Sequence, residues 1–447
     1  MNRIFRNFVG RGRTDGRPDS SRDRLESALA RIGDKKDEGS RACLTVYAKA
    51  ARKAADAADA RARSGLALGP LDGRIVSIKD LFDVAGEVTR AGSKVLLSEG
   101  KLAVADAPAV ARLRAAGAVI VAKTNMTEFA FSGVGLNPHF GTPGNPHDRE
   151  RIPGGSSSGA AVAVADGMCE IAIGSDTGGS TRIPAALCGI VGWKPSKQRV
   201  PTEGAFPLSH TLDSIGPMAR TVADCARADA VMAGDTWEEL APASLQGLRI
   251  GIPLGLPIDD LDDAVAAPCA DAMVRIERAG AAVSFAAIPY FEEMLAINAK
   301  GGFAPKEAYA IHQKRLEAHG KEIDPNVRAR IERGGSIGTE DYAEMLLARK
   351  RLVRAMDGQL AELDALMLPT TAICAPKFDE VATAESFSKR NMQLLRNPSI
   401  VNFFDLCAIS LPIPSPKLPV GLMLVARNGR DRRLFEIAAA VETLFAG

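Results

Sequence analysis

Short apolar runs recur along the chain and alternate with stretches of helical spacing. RIVSIK at 74–79, AVIVA at 118–122, EIAIGSD at 170–176 and IVGWKPS at 190–196 each read as a strand. LRIGIP (248–253), VSFAAI (283–288), ALMLPT (365–370), AISLPI (408–413) and PVGLMLVA (419–426) repeat the pattern. DAPAVARLRAAG before the second run and AAVAVADGM before the third predict helices, and residues 180–189 predict another. These runs are apolar at nearly every position, so the strands are expected to be covered on both faces. The pattern therefore predicts an α/β protein with one large sheet under helices on both sides.

Two regions depart from this rhythm. Residues 23–64 are rich in Ala, Arg and Asp at helical spacing and predict a pair of surface helices, set off by Gly69-Pro70. Residues 289–362 are charged and helical throughout and predict a helical insertion. The organisation expected is a basic N-terminal tail with helices over 1–64, then one main domain over 65–447 carrying that insertion. Residues 132–159, dominated by Gly, Pro, Asn and Ser, predict a long loop.

Composition narrows the function. The formal net charge is +2, with 46% hydrophobic and 25% charged residues, which gives no general attraction to nucleic acid or anionic membrane. The basic first 22 residues lack the apolar core of a secretory signal, and no apolar run is long enough to span a bilayer. Seven cysteines with no C-x-x-C spacing predict reduced, buried thiols and a cytoplasmic protein. The five histidines are scattered without zinc-site spacing, so no metal and no cofactor are expected.

Two glycine-serine clusters carry the candidate chemistry: PGGSSSGA at 153–160 and GSDTGGSTRIP at 174–184. Each runs into an Ala-rich helix. Glycines let successive backbone N–H groups converge, and a helix N-terminus adds positive potential, so such a loop suits an anion. Neither G-x-x-x-x-G-K-[ST] nor a strand-borne G-x-G-x-x-G is present, which disfavours a nucleotide phosphate. The alternative is the oxyanion of an acyl intermediate, with Ser180 as a nucleophile in the same loop. Turn and N-cap serines would account for one such cluster. Two of them, with a lysine ending an earlier strand, weaken that account. No histidine lies in these motifs, so a base would have to be a lysine kept neutral by burial. Lys79 and Lys123 are the candidates. Lys123 is expected to be a surface lysine at a strand end, because it lacks the acidic neighbour that Lys79 has in Asp80.

With SIKDLFD around Lys79, KTNMTEFA (123–130), GGSSSGA, GSDTGGSTRIPAALCGIVGWKP, TLDSIGPMARTVAD (211–224) and LPVGLMLVA (418–426), the chain resembles the amidase signature family of Ser–Ser–Lys hydrolases over residues 65–447. The resemblance implies a mixed sheet and no cofactor. It implies Ser180 as acyl nucleophile, Ser156, on a cis Gly155–Ser156 bond, as bridging serine, and Lys79 as base. It further implies an oxyanion hole from the N–H groups of Thr177, Gly178, Gly179 and Ser180, an acyl-side wall from Ala130 and Phe131, and an Asp176–Arg182 pair holding the loop. The partner expected is a small amide, with a homodimer allowed.

The same motifs occur in the glutaminase component of the tRNA-dependent amidotransferase. That component carries an acid near the C-terminus for the amino group of glutamine. Pro398 aligns with it here, which makes that reading the runner-up. A non-catalytic anion-binding module is the third class, and the intact Lys79, Ser156 and Ser180 argue against it.

Overall fold

The computed structural model describes residues 20–446 apart from Lys35 and Lys300; most of the basic tail therefore lies outside the described residues. Eleven strands form one sheet: β1 (Cys43–Val46), β2 (Ile75–Lys79), β3 (Val119–Thr124), β4 (Ile171–Asp176), β5 (Val191–Lys194), β6 (Ser214–Ala219), β7 (Arg249–Pro253), β8 (Ala282–Ala286), β9 (Ala365–Pro369), β10 (Cys407–Ile413) and β11 (Val420–Ala426). Their order across the sheet is β1-β3-β2-β4-β6-β5-β10-β11-β9-β7-β8. The sheet is mixed: β2 runs parallel to β3 and β4, and β7 parallel to β8 and β9. β4, β5 and β6 join antiparallel, as do β10 and β11. Helices cover both faces, as the apolar runs predict.

Strands β2, β3 and β4 are buried at every position. The helices behind the two serine clusters, Ser158–Ala165 and Arg182–Cys188, are buried almost throughout. The first, SGAAVAVA, is built of small residues because the sheet and the neighbouring segments press on it closely. A Cβ on Gly159 would stand 2.4 Å from the carbonyl oxygen of Ala42, and one on Gly192 of β5 would stand 2.5 Å from the Cβ of Ala185. Such helices show no amphipathic stripe, since no face meets water.

Two strands escape the apolar-run pattern. β1 (CLTV) is short and only its first residue is buried, and it lies at the sheet edge, paired with β3. Residues 23–64 thus contribute a strand to the main sheet as well as helices at Ser21–Gly33, Gly39–Ala42 and Ala48–Arg63. β6 reads SIGPMA, with a Gly and a Pro that argue against a central strand. Tertiary packing overrides both. Pro217 lies where the ladder to β5, which pairs only Ala219 and Met218, has ended. A Cβ on Gly216 would meet the Trp193 carbonyl oxygen at 2.0 Å. Residues 289–362 are helical as expected, at Tyr290–Asn298, Phe303–His319, Pro325–Arg333 and Thr339–Gln359, and they roof the ends of the central strands. No described helix is long and apolar enough to cross a membrane.

Candidate active site

Lys79 is the last residue of β2 and is fully buried. Its Nζ donates to Ser156 Oγ at 2.8 Å and to Ser175 Oγ at 2.9 Å. Burial lowers its pKa to about 7, against the opposing pull of the Asp176 and Asp213 carboxylates. Lys123 is also buried, contrary to the expectation of a surface residue. Strand geometry separates the two. Ile78 pairs with Lys123 and Lys79 with Thr124, so the two side chains leave opposite faces of the sheet. Lys123 Nζ lies 3.6 Å from Glu87, without a hydrogen-bond partner. Asp80, the acidic neighbour that set Lys79 apart in the sequence, pairs with Arg90 at 2.7 Å and its charge acts on Lys123. A third buried lysine, Lys194, has its pKa lowered by burial to about 8, but its Nζ donates to the carbonyls of Pro195 and Leu406. Of the three, Lys79 alone donates to serine hydroxyls.

The two serine loops meet at the C-terminal ends of β2 and β4. The Gly155–Ser156 peptide bond is cis. A Cβ on Gly154 would touch Pro184 Cα at 3.1 Å, and one on Gly174 would touch Ser157 Oγ at 2.7 Å and Thr181 Cγ2 at 3.2 Å. Ser180 is 4% exposed and lines a cavity of about 800 Å³ together with Thr177, Gly178, Ala130 and Phe131. Among the described residues no histidine lines that cavity. Ala130 and its neighbour Phe129 hold φ of 60° and 52°, a left-handed conformation that costs a non-glycine residue about 1–3 kcal/mol and needs rigid surroundings.

The loop that carries Ser180 hangs on Asp176. Arg182 donates to its two oxygens at 2.8 and 3.1 Å, Asn402 at 2.9 Å and the Thr181 hydroxyl at 2.9 Å. Burial alone would raise this carboxyl, but the Arg182 guanidinium and these donors hold it well below the usual carboxylate range. The Gly179 N–H, expected among the oxyanion donors, instead donates to Asp176 Oδ1 at 2.9 Å. Gly179 has φ of 126°, and a Cβ there would stand 2.5 Å from Pro398, so its place in the site is structural. Among the described residues no acceptor takes the N–H of Thr177, Gly178 or Ser180.

Sequence reasoning missed Ser175, Asp213 and Asn402. Ser175 stands just before Asp176 in GSD, and its role depends on Lys79 reaching it across 96 residues of chain. Asp213 accepts from Thr177 Oγ1 at 2.5 Å, and burial raises its pKa. All seven cysteines are free thiols, and all but Cys374 are buried. Among the described residues no group of three His, Cys, Asp or Glu side chains could hold a metal ion.

The family model described as Amidase matches residues 23–435. The chain is 38% identical over 400 residues to a 2-amino-5-chloromuconic acid deaminase of Comamonas testosteroni, covering 88% of this chain and 86% of that one. It is 34% identical to a subunit of the glutamyl-tRNA(Gln) amidotransferase of Symbiobacterium thermophilum, covering 93% and 92%. A crystal structure of an amidase superposes with a TM-score of 0.82 at 32% identity over 96% of each chain.

Proposed function

Because the chain belongs to the amidase family and is a hydrolase of C–N bonds, we propose that it cleaves a small carboxylic amide through an acyl-enzyme on Ser180. The observation that carries this reading is Lys79, lowered to about 7 by burial and donating to Ser156 Oγ, beside a cavity that Ser180 lines. Ser180 Oγ attacks the amide carbon. Its proton passes to Ser156 Oγ, whose own proton passes to Lys79 Nζ. The N–H groups of Thr177, Gly178 and Ser180 hold the oxyanion, with Ala130 and Phe131 on the acyl side. The tetrahedral intermediate collapses, and the leaving nitrogen takes the proton back through Ser156, departing as ammonia or amine. Water, deprotonated by the same relay, then attacks the acyl-Ser180 ester and releases the acid.

The reading as a glutaminase component has the amidotransferase relatives behind it. Against it stands Pro398, packed on Gly179 beside the nucleophile, where that reading requires an acid. The purified chain alone is expected to release ammonia from simple amides and not from glutamine. A fluorophosphonate is expected to label Ser180, and Ser180→Ala to abolish both labelling and hydrolysis. Labelling at another serine, with Ser180→Ala still active, would refute the assignment.

A further inference from the structure

The cavity in front of Ser180 has an unbalanced charge. Its lining includes Arg330, Arg333 and Arg396 and, among the described residues, no Asp, Glu or Lys. Arg330 and Arg333 lie three residues apart on the helix Pro325–Arg333, so they share a face, and Arg396 comes from the opposing helix Ala384–Phe403. Most of the remaining wall is apolar, with Leu212, Met294 and Phe403 among its residues.

Among the described residues none of the three forms an ion pair, although the charges of Asp260 and Asp259 act on Arg396 from farther off. Arg182, paired with Asp176 at 2.8 Å, is the contrast. The Arg330 guanidinium lies 4.5 Å from the centre of the Phe131 ring, and its Nε is buried without a hydrogen-bond partner. Burial and the neighbouring Arg333 push its pKa down to about 10. Arg396 donates through Nε to Asn397 at 3.3 Å, while its Nη2 is buried without a partner. A guanidinium presents a planar fork of donors that matches a carboxylate, and stacking on an aromatic ring fixes its plane. An apolar wall strengthens that attraction by excluding water.

We propose that the substrate is an amide bearing a free carboxylate away from the scissile bond, with Arg330, stacked on Phe131, as its receptor and Arg396 as the second cationic wall. This rests on Ser180 being the nucleophile that faces the same cavity. Phe131 then serves twice, as acyl-side wall and as the platform for Arg330, which ties specificity to the site of chemistry. Neutral amides of the same shape leave the guanidinium buried and unpaired, so they are poor substrates.

The test uses monoamides of linear dicarboxylic acids, succinic to adipic, each beside the neutral amide in which a methyl ketone replaces the carboxylate. Ammonia release gives kcat/KM for every pair. The best carboxylate substrate is expected to exceed its neutral isostere by about 10- to 100-fold, the range of one charge-assisted hydrogen-bonded contact. Arg330→Ala is expected to bring that ratio close to one, and Arg330→Lys to restore part of it. Protection of wild-type Ser180 from fluorophosphonate by the free dicarboxylates supplies a readout that needs no variant to fold. Equal rates within every pair, a ratio untouched in Arg330→Ala, or absence of protection would overturn the proposal. Wild-type labelling at Ser180 alongside such a result would confine the failure to the substrate class. Absence of labelling would instead sink the nucleophile assignment on which the proposal depends.

Discussion

Moving the Lys79 proton is the sharpest test of the chemistry. A lysine of ordinary pKa, about 10.4, is neutral at pH 7 in roughly one molecule in 2,500. Lys79 sits at the inner end of a strand buried on both faces, and its pKa falls to about 7. About half of the molecules then carry a neutral amine at pH 7, a gain of about three orders of magnitude in competent enzyme. The profile of kcat/KM against pH reports the free enzyme's essential groups. It is expected to rise tenfold per unit below an apparent pKa near 7 and to level off above it. Asp213→Asn removes a carboxylate whose charge raises the lysine, so the rising limb should move to lower pH. Lys79→Ala should lose the limb and about a thousand-fold or more in rate at pH 8. The measurement is initial-rate ammonia release between pH 5 and 9.5 for the wild type and both variants. A limb centred near 10 in the wild type, or an unchanged limb in Lys79→Ala, would refute the reasoning and pass the role to another group.

Ser156→Ala should cost less than Ser180→Ala, because water can partly replace a relay hydroxyl but not a nucleophile; equal losses in single-turnover hydrolysis would contradict a relay role. Arg182→Ala leaves Asp176 buried and charged without its main partner, and should cost about 3–5 kcal/mol of stability, read as a large drop in Tm. Asp176 is held below its unfolded value. Its contribution is therefore complete above about pH 4 and is lost as pH falls through the folded value. In Arg182→Ala that carboxyl rises, so acid unfolding should begin at higher pH; an unchanged acid midpoint and Tm would show that the pair contributes nothing.

Local pattern carried most of the architecture. Apolar runs located nine of the eleven strands, because strands buried on both faces cannot hide their composition. The helical insertion was legible for the matching reason: it is charged, long and free of breaks that would suggest strands. Ser156 and Ser180 stood out in motifs whose glycines leave room for packed side chains, as Gly174 and Gly179 show, and Lys79 stood out as the lysine ending an apolar strand. What only the tertiary structure decided was contact and sidedness. β6 was hidden because its Gly meets a carbonyl of β5 and its Pro lies where the ladder to that same strand has ended, neither of them visible in SIGPMA. Lys123 looked exposed because strand ends often are; the fold buries it fully, and the β2–β3 register turns it away from Lys79. The Gly179 N–H looked available until the fold brought the Asp176 carboxylate over it. The unpaired Arg330 could not be told from any other arginine on a charged helix. Only packing shows that, among the described residues, it pairs with no carboxylate and lies against Phe131, since charge balance around a side chain belongs to the folded neighbourhood and not to the adjacent sequence.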